Sequence, residues 1–383
     1  MKFKYMFSLY FMISWLAACQ LTGPAVEPKP AEPAEPVASK STFFRGADLS
    51  YVNEMLDCGA TYLNESGVET NPYEVFQVAG ANLVRVRLWH SPTWTNYSDF
   101  DDVKKTIQAA KAQNMQVLLD FHYSDTWSDP SHQEVPKAWL GVVNNIQLLG
   151  DSLYAYTYQT LTKLHAEGLL PEMVQVGNEI NIEILQDPDQ SYERINWSRN
   201  SALLKRGLQA VRDAAQAFDT PIASMLHVAQ PENGAWWFAE AQAAGLTDYD
   251  WIGLSYYPNW SDYSLSQLSE ATKSLKALYG KRVMVVETAY PFTLESNDSA
   301  NNLFSQESLL PGYPATQEGQ LRFLQALEKA LVEGEAEGLI YWEPAWISTS
   351  CRTLWGQGSH FENATLFDFS SLPTQGMRYF GGE

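Results

Sequence analysis

Two glutamates end apolar runs. Glu179 closes "MVQVGNE" (173–179), and Glu287 lies near the end of "RVMVVET" (282–288). A single acid in such a place is most often a surface or ion-pairing group. Two of them, brought together by folding, could cleave a glycosidic bond with retention if their carboxyl groups lie roughly 5–5.5 Å apart. In that chemistry Glu287 attacks the anomeric carbon, while Glu179 protonates the leaving oxygen and then activates water. The two must therefore differ in pKa. Arg85 is expected to keep Glu287 ionised, because an adjacent cation favours the charged form. Asn178 could donate to the sugar 2-hydroxyl, Tyr256 could hold Glu287 by a hydrogen bond, and Trp342 could form the platform under the sugar at the cleavage point.

The elements that must position these residues alternate along the chain. Strand candidates are 43–50, 82–89, 116–123, 173–179, 222–228, 251–258, 282–288 and 338–344, with helical stretches such as 101–114, 203–218 and 317–334 between them. The last of these carries an apolar stripe at 321, 324, 327 and 331. Eight β-then-α units predict an α/β fold of the (β/α)8 barrel type, as one catalytic domain over 43–383. A doubly wound open sheet is the alternative, but no Gly-rich phosphate loop follows the first strand. Reactive or aromatic side chains recur at the strand ends: Asp48, Arg85 with Arg87, His122, Asn178 with Glu179, His227, Tyr256, Glu287, and Trp342 with Glu343. In a barrel these ends converge on one face.

Net charge is −20, which disfavours nucleic acid and polyanionic polysaccharides and leaves neutral glycans open. Thirteen Trp and twenty Tyr supply flat faces for sugar stacking as well as core packing. Trp89, Trp94, Trp127, Trp139, Trp260, Trp346 and Trp355 are candidate platforms, about half of them expected to pack loops instead. Asp125 and Asp129 could bind hydroxyls or cap their own loop. Six His with no HxH pair argue against a metal hydrolase, and a redox-cofactor enzyme is less expected still. No catalytic cofactor is expected.

The N-terminus reads as an export signal. Lys2 and Lys4 precede an apolar stretch from Met6 to Ala18, too short for a comfortable membrane span. "LAAC" resembles a bacterial lipobox, which implies a signal peptide over 1–18 and a lipidated Cys19; an ordinary signal peptide is the alternative. Residues 19–42 then form the lipidated cysteine and a Pro/Glu-rich tether. Gln20 lacks the acid associated with inner-membrane retention, so the expected address is the outer membrane or cell surface, with the lipid as the sole membrane contact and the enzyme acting as a monomer. Cys58 follows the first strand and Cys351 the eighth. These strands are neighbours in a closed barrel, so a disulfide is predicted, with two free thiols as the alternative.

The sequence resembles glycoside hydrolase family 53, the endo-β-1,4-galactanases of glycosidase clan A, from about Phe43 to Phe369. "RGADLSYVNEMLDCGATYLNESG" (45–67), "NLVRVRLWHSP" (82–92), "DFHYSDTWSDPSHQEVPKAW" (120–139), "VQVGNEI" (174–180), "IGLSYYPNW" (252–260), "VVETAYP" (285–291), "YWEPAWI" (341–347) and "FENATLFDF" (361–369) follow the family order. The resemblance implies Glu179 as acid/base, Glu287 as nucleophile, and internal cleavage of the β-1,4-galactan side chains of pectin. Phe361 departs from a frequent Trp. Bacterial members can carry calcium in the loop after strand seven, here "LESNDSANN" (294–302). Glu295, Asn297, Ser299 and Asn301 offer oxygens there but little charge, so no bound metal is expected, a structural calcium being the alternative. Two other functions stay open: another clan A endoglycanase of mannanase or cellulase type, and a surface lipoprotein that binds glycan without cutting it.

Overall fold

A computed structural model describes residues 43–192 and 194–382. The expected signal peptide, Cys19 and the tether to residue 42 lie outside the described residues. All eight predicted strand segments form strands: β1 (Phe44–Asp48), β2 (Leu83–Leu88), β3 (Gln116–Phe121), β4 (Met173–Val176), β5 (Ala223–Ala229), β6 (Trp251–Ser255), β7 (Arg282–Glu287) and β8 (Gly338–Tyr341). They pair in parallel in chain order, and β8 returns to β1, closing a barrel. Helices α1 (Val52–Asp57) and α2 (Pro72–Ala79) follow β1. Then α3 (Phe100–Ala112), α4 (Ile146–Ala166), α5 (Trp197–Ala217), α6 (Pro231–Ala243), α7 (Leu265–Tyr279) and α8 (Gln317–Glu333) follow β2 to β7 in turn. The fold is a (β/α)8 barrel.

Helix starts are written in the sequence. Asp99, Asn145, Asn196, Ser264 and Thr316 each accept a backbone N–H of the first turn, satisfying donors that the helix itself cannot. The buried stripe of α8 runs through Phe323, Leu324, Leu327 and Leu331, so Leu321 lies at its flank, only partly buried. Most strands stop short of their apolar runs. β4 ends at Val176 because Gly177 has φ +91° and Glu179 φ +44°, both outside extended geometry. A Cβ at Gly177 would lie 2.6 Å from Ile180 Cγ2, so the turn needs glycine for space as well as for φ.

The barrel interior is layered by the two-residue period of its strands. At the base, Leu83, Leu118, Met173, Met225, Trp251, Met284 and Ile340 form a buried apolar cluster. Each contributes roughly 1.5–3 kcal/mol by leaving water. Two residues further along, the same faces carry Arg85, Asp120, Gln175 and His227, all buried. The polar layer therefore sits on an apolar floor and opens only toward the C-terminal mouth.

After β8, a small antiparallel ladder of β9 (Arg352–Thr353) and β10 (Gly356–Gln357) projects at that mouth. Cys58, at the end of α1, and Cys351, just before β9, have Cα atoms 5.5 Å apart, within the span of a disulfide.

Candidate active site

Arg85 anchors the polar layer. It is 1% exposed, and its guanidinium has a partner on every side. Nη1 reaches Asp48 Oδ2 and Glu287 Oε1, both at 2.8 Å. Nη2 donates to Asp120 Oδ2 at 2.8 Å and to Asn178 Oδ1 at 2.7 Å, and Nε donates to Gln175 Oε1 at 3.3 Å. Facing three carboxylates, a guanidinium so deeply buried stays charged.

Glu287 leaves the end of β7 and is held from two sides. Arg85 grips one oxygen, and Tyr257 Oη donates to the other at 3.1 Å. Burial raises this carboxyl to about 7, against the pull of Arg85. Glu179 stands across from it in the left-handed turn after β4, where, among the described residues, the Ser255 hydroxyl alone, at 2.6 Å, binds its carboxylate. Burial lifts its pKa well above the ordinary carboxylate range, and the charge on Glu287 pushes the same way. Carboxylate oxygens of the two glutamates lie within 4.8 Å of each other. One acid thus has a cation and a phenol for its charged form, and the other has neither. That asymmetry makes Glu287 ionise first while Glu179 keeps its proton.

His227 also comes within 4.8 Å of both carboxylates, a grouping that could suggest a metal. Its nitrogens are already engaged: Nδ1 with Gln175, Asn178 and the Glu179 amide, Nε2 with Ser255. Burial and Arg85 hold its pKa well below the ordinary value, so the ring is neutral. His227 is thus a buried brace beneath Glu179 rather than a cleft residue.

A cleft of about 490 Å³ lies over this layer. Asp48, Arg85, His122, Asn178, Trp127, Trp260 and Trp342 reach its surface, as do Asp129 and Phe361. His122 does so with both nitrogens occupied, accepting from the Ser128 amide and facing Asp120. Trp342 forms one wall, set against the edge of Phe361 at 4.5 Å and 6.2 Å from Trp127. Trp260 projects on the other side, half-exposed and packed on Tyr257.

Several expected site residues fall elsewhere. Tyr256 points away from the cleft and donates to the Tyr263 carbonyl; its neighbour Tyr257 holds Glu287. Asp125 caps its loop, accepting from the amides of Ser91 and Lys137 and pairing with His90. Trp89 and Trp346 are buried: Trp89 packs behind Trp127, and Trp346 stacks on Tyr51 at 4.0 Å. Trp139 packs on His90 and Tyr156. Conversely, Asp120, Gln175, Ser255 and Tyr257 were not anticipated. Counting by two along each strand from its inward apolar residue finds them, as Trp251, Ser255 and Tyr257 show.

In the loop after β7, Asn297 and Asp298 donate their amides to Glu362, and the amides of Ala300 and Ser359 bind Asp298. The Asp298 carboxylate and that of Glu362 thus tie the loop to the segment after β8 through backbone N–H groups.

A C-terminal barrel mouth holding two opposed carboxylates beneath aromatic walls defines a barrel glycosidase. Residues 44–380 match the sequence model of glycosyl hydrolase family 53, and the chain belongs to that family. It is 53% identical over 333 residues to the arabinogalactan endo-β-1,4-galactanase of Cellvibrio japonicus, covering 87% of this chain and 88% of that one. It is 33% identical to the endo-β-1,4-galactanase of Bacillus subtilis, covering 88% and 85%. Among solved structures, the Ignisphaera aggregans GH53 catalytic domain superposes with a TM-score of 0.81 at 31% identity, over 90% of this chain and 97% of that one.

Proposed function

We propose that this protein is a retaining endo-β-1,4-galactanase acting on the neutral β-1,4-galactan side chains of pectin. One observation carries the mechanism: two carboxylates within 4.8 Å, one ion-paired and one not. Glu287 attacks the anomeric carbon as the bond to the leaving oxygen breaks, and Glu179 gives that oxygen its proton. A galactosyl ester on Glu287 results. Glu179, now a carboxylate, takes a proton from water as the water attacks the same carbon, releasing Glu287. Arg85 and Tyr257 hold the attacking carboxylate in line. Trp342 supports the ring. Asn178 donates one amide N–H to the Ser128 carbonyl, leaving the other for the sugar 2-hydroxyl.

The decisive test pairs the wild type with Glu287→Ala on linear galactan. The variant should lose on the order of 10⁵-fold in kcat yet keep its affinity for galactan. Cleavage of mannan or cellulose with none of galactan would overturn the substrate assignment. Equal inertness of both proteins would leave only glycan binding.

Residues 1–18 are a signal peptide, Cys19 carries lipid, and 19–42 tether a monomeric enzyme at the outer membrane or cell surface. The composition of that segment supports this. A mature chain found to start elsewhere, without lipid on Cys19, would sink it. The Cys58–Cys351 link is supported by the 5.5 Å Cα separation; two free thiols in unreduced mass spectrometry would refute it. The loop at 294–302 is read as holding without calcium, supported by the amides of Ala300 and Ser359 that already bind the Asp298 carboxylate.

A further inference from the structure

A second cavity, of about 570 Å³, opens beside the catalytic cleft, between the β4–α5 loop and α6. Its size is that of a ligand site. Tyr192, Trp197 and Trp236 line it, together with Asn181 and Glu240. Asn181 also lines the catalytic cleft, so the two spaces adjoin. Trp236 is 44% exposed, an unusual state for so large an apolar ring. Its indole N–H donates to Asn233 Oδ1 at 3.1 Å, and Asn233 lines the catalytic cleft. The exposed ring is therefore oriented by a residue of the cleft itself.

The cavity is preformed. The loop is long, yet Arg199 pins it by donating to Glu183 at 2.9 Å and to the carbonyls of Ile184 and Leu185 at 2.8 and 2.6 Å. Trp197 packs edge-on against buried Trp237 at 5.2 Å. Rigid aromatic walls lose little entropy on binding.

Position identifies the occupant. The sugar that becomes attached to Glu287 lies toward Trp342 at the end of β8. Glu179 hands its proton to the leaving oxygen, so the departing chain lies on the far side of Glu179. The second cavity begins there, over the ends of β4 and β5.

We propose that this cavity is a distal site for the leaving-group side of a long neutral β-linked hexopyranose chain, with Trp236 stacking on the apolar face of one sugar and Glu240 accepting from hydroxyls. Arg194 and Glu240 both line the cavity and their charges offset, so the neutral character of the ligand follows from the galactan reading. The inference rests on the galactanase reading and adds to it a site remote from the reacting bond.

Trp236→Ala and Trp236→Phe in the full chain test it. On long linear galactan the Ala variant should raise KM about five- to tenfold, the scale of one lost aromatic contact. Its kcat/KM on galactotriose, too short to reach the cavity, should be unchanged, and Phe should restore most of the loss. In a Glu287→Ala background, calorimetry should show the same weakening for long galactan alone. An unchanged KM on long galactan, or an equal loss on galactotriose, overturns the distal site. A wild type inert on all galactan would instead overturn the galactanase reading.

Discussion

Arg85 and Arg87 leave one strand on the same face, two residues apart, and both are buried. Their surroundings differ. Arg85 sits among Asp48, Asp120 and Glu287, so it answers to the reacting layer. Arg87 pairs with Glu343 and lies against aromatic rings, 4.3 Å from the centre of Tyr51, 4.5 Å from Trp127 and 5.2 Å from Trp89. Burial raises Glu343 to about 8 even against Arg87. One guanidinium thus sets the charge of Glu287, and the other props up a wall. A step of two residues along a strand is a step from chemistry to binding.

Arg85→Met should break that contrast most. It strands three carboxylates, so kcat should fall on the order of 10³-fold, with stability down by about 3–5 kcal/mol in denaturant unfolding. Arg87→Met should cost about as much stability but leave kcat within roughly tenfold, raising KM for galactan as Trp127 loosens. Equal kcat losses in the two variants would erase the distinction. Adding Glu343→Gln to Arg87→Met should recover part of the lost stability at pH above about 8, where the carboxyl left without its cation would otherwise carry a buried charge.

The pH profile sharpens the comparison with a smaller effect. In the proposed mechanism Glu287 is ionised and Glu179 protonated, so activity should fall on the acid side as Glu287 gains a proton and on the alkaline side as Glu179 loses one. The Ser255 hydroxyl stabilises the charged form of Glu179. Ser255→Ala should therefore raise the Glu179 pKa further and move the alkaline limb of kcat/KM upward, with the acid limb nearly still. The smallest effect should come from chelation. Prolonged treatment should leave the melting temperature unchanged, and a fall reversed by calcium would reassign the loop after β7.

The barrel and both glutamates were legible because strand ends in this fold share one face and the chain repeats its pattern eight times. What stayed hidden depends on register. "SYYP" offers two adjacent tyrosines, and alternation decides which turns inward, with an irregularity between Leu254 and Ser255 blurring the count. His227 looked like a cleft residue from its place near a strand end. Only the contacts below Glu179 show that its nitrogens are spent. Trp89 and Trp346 carry the same side chain as Trp127 and Trp342, and a sequence holds nothing to separate a ring that faces sugar from one that backs it.

The polar interior of β2 has a consequence before folding is complete. Without its arginines, "LVRVRL" would be a continuous aliphatic segment of high strand propensity, the kind that self-associates when exposed. Arg85 and Arg87 interrupt it at alternate positions, so two such segments stacked in register would place like charges together. The residues that later organise the cleft thereby act as gatekeepers against aggregation while the barrel is still open.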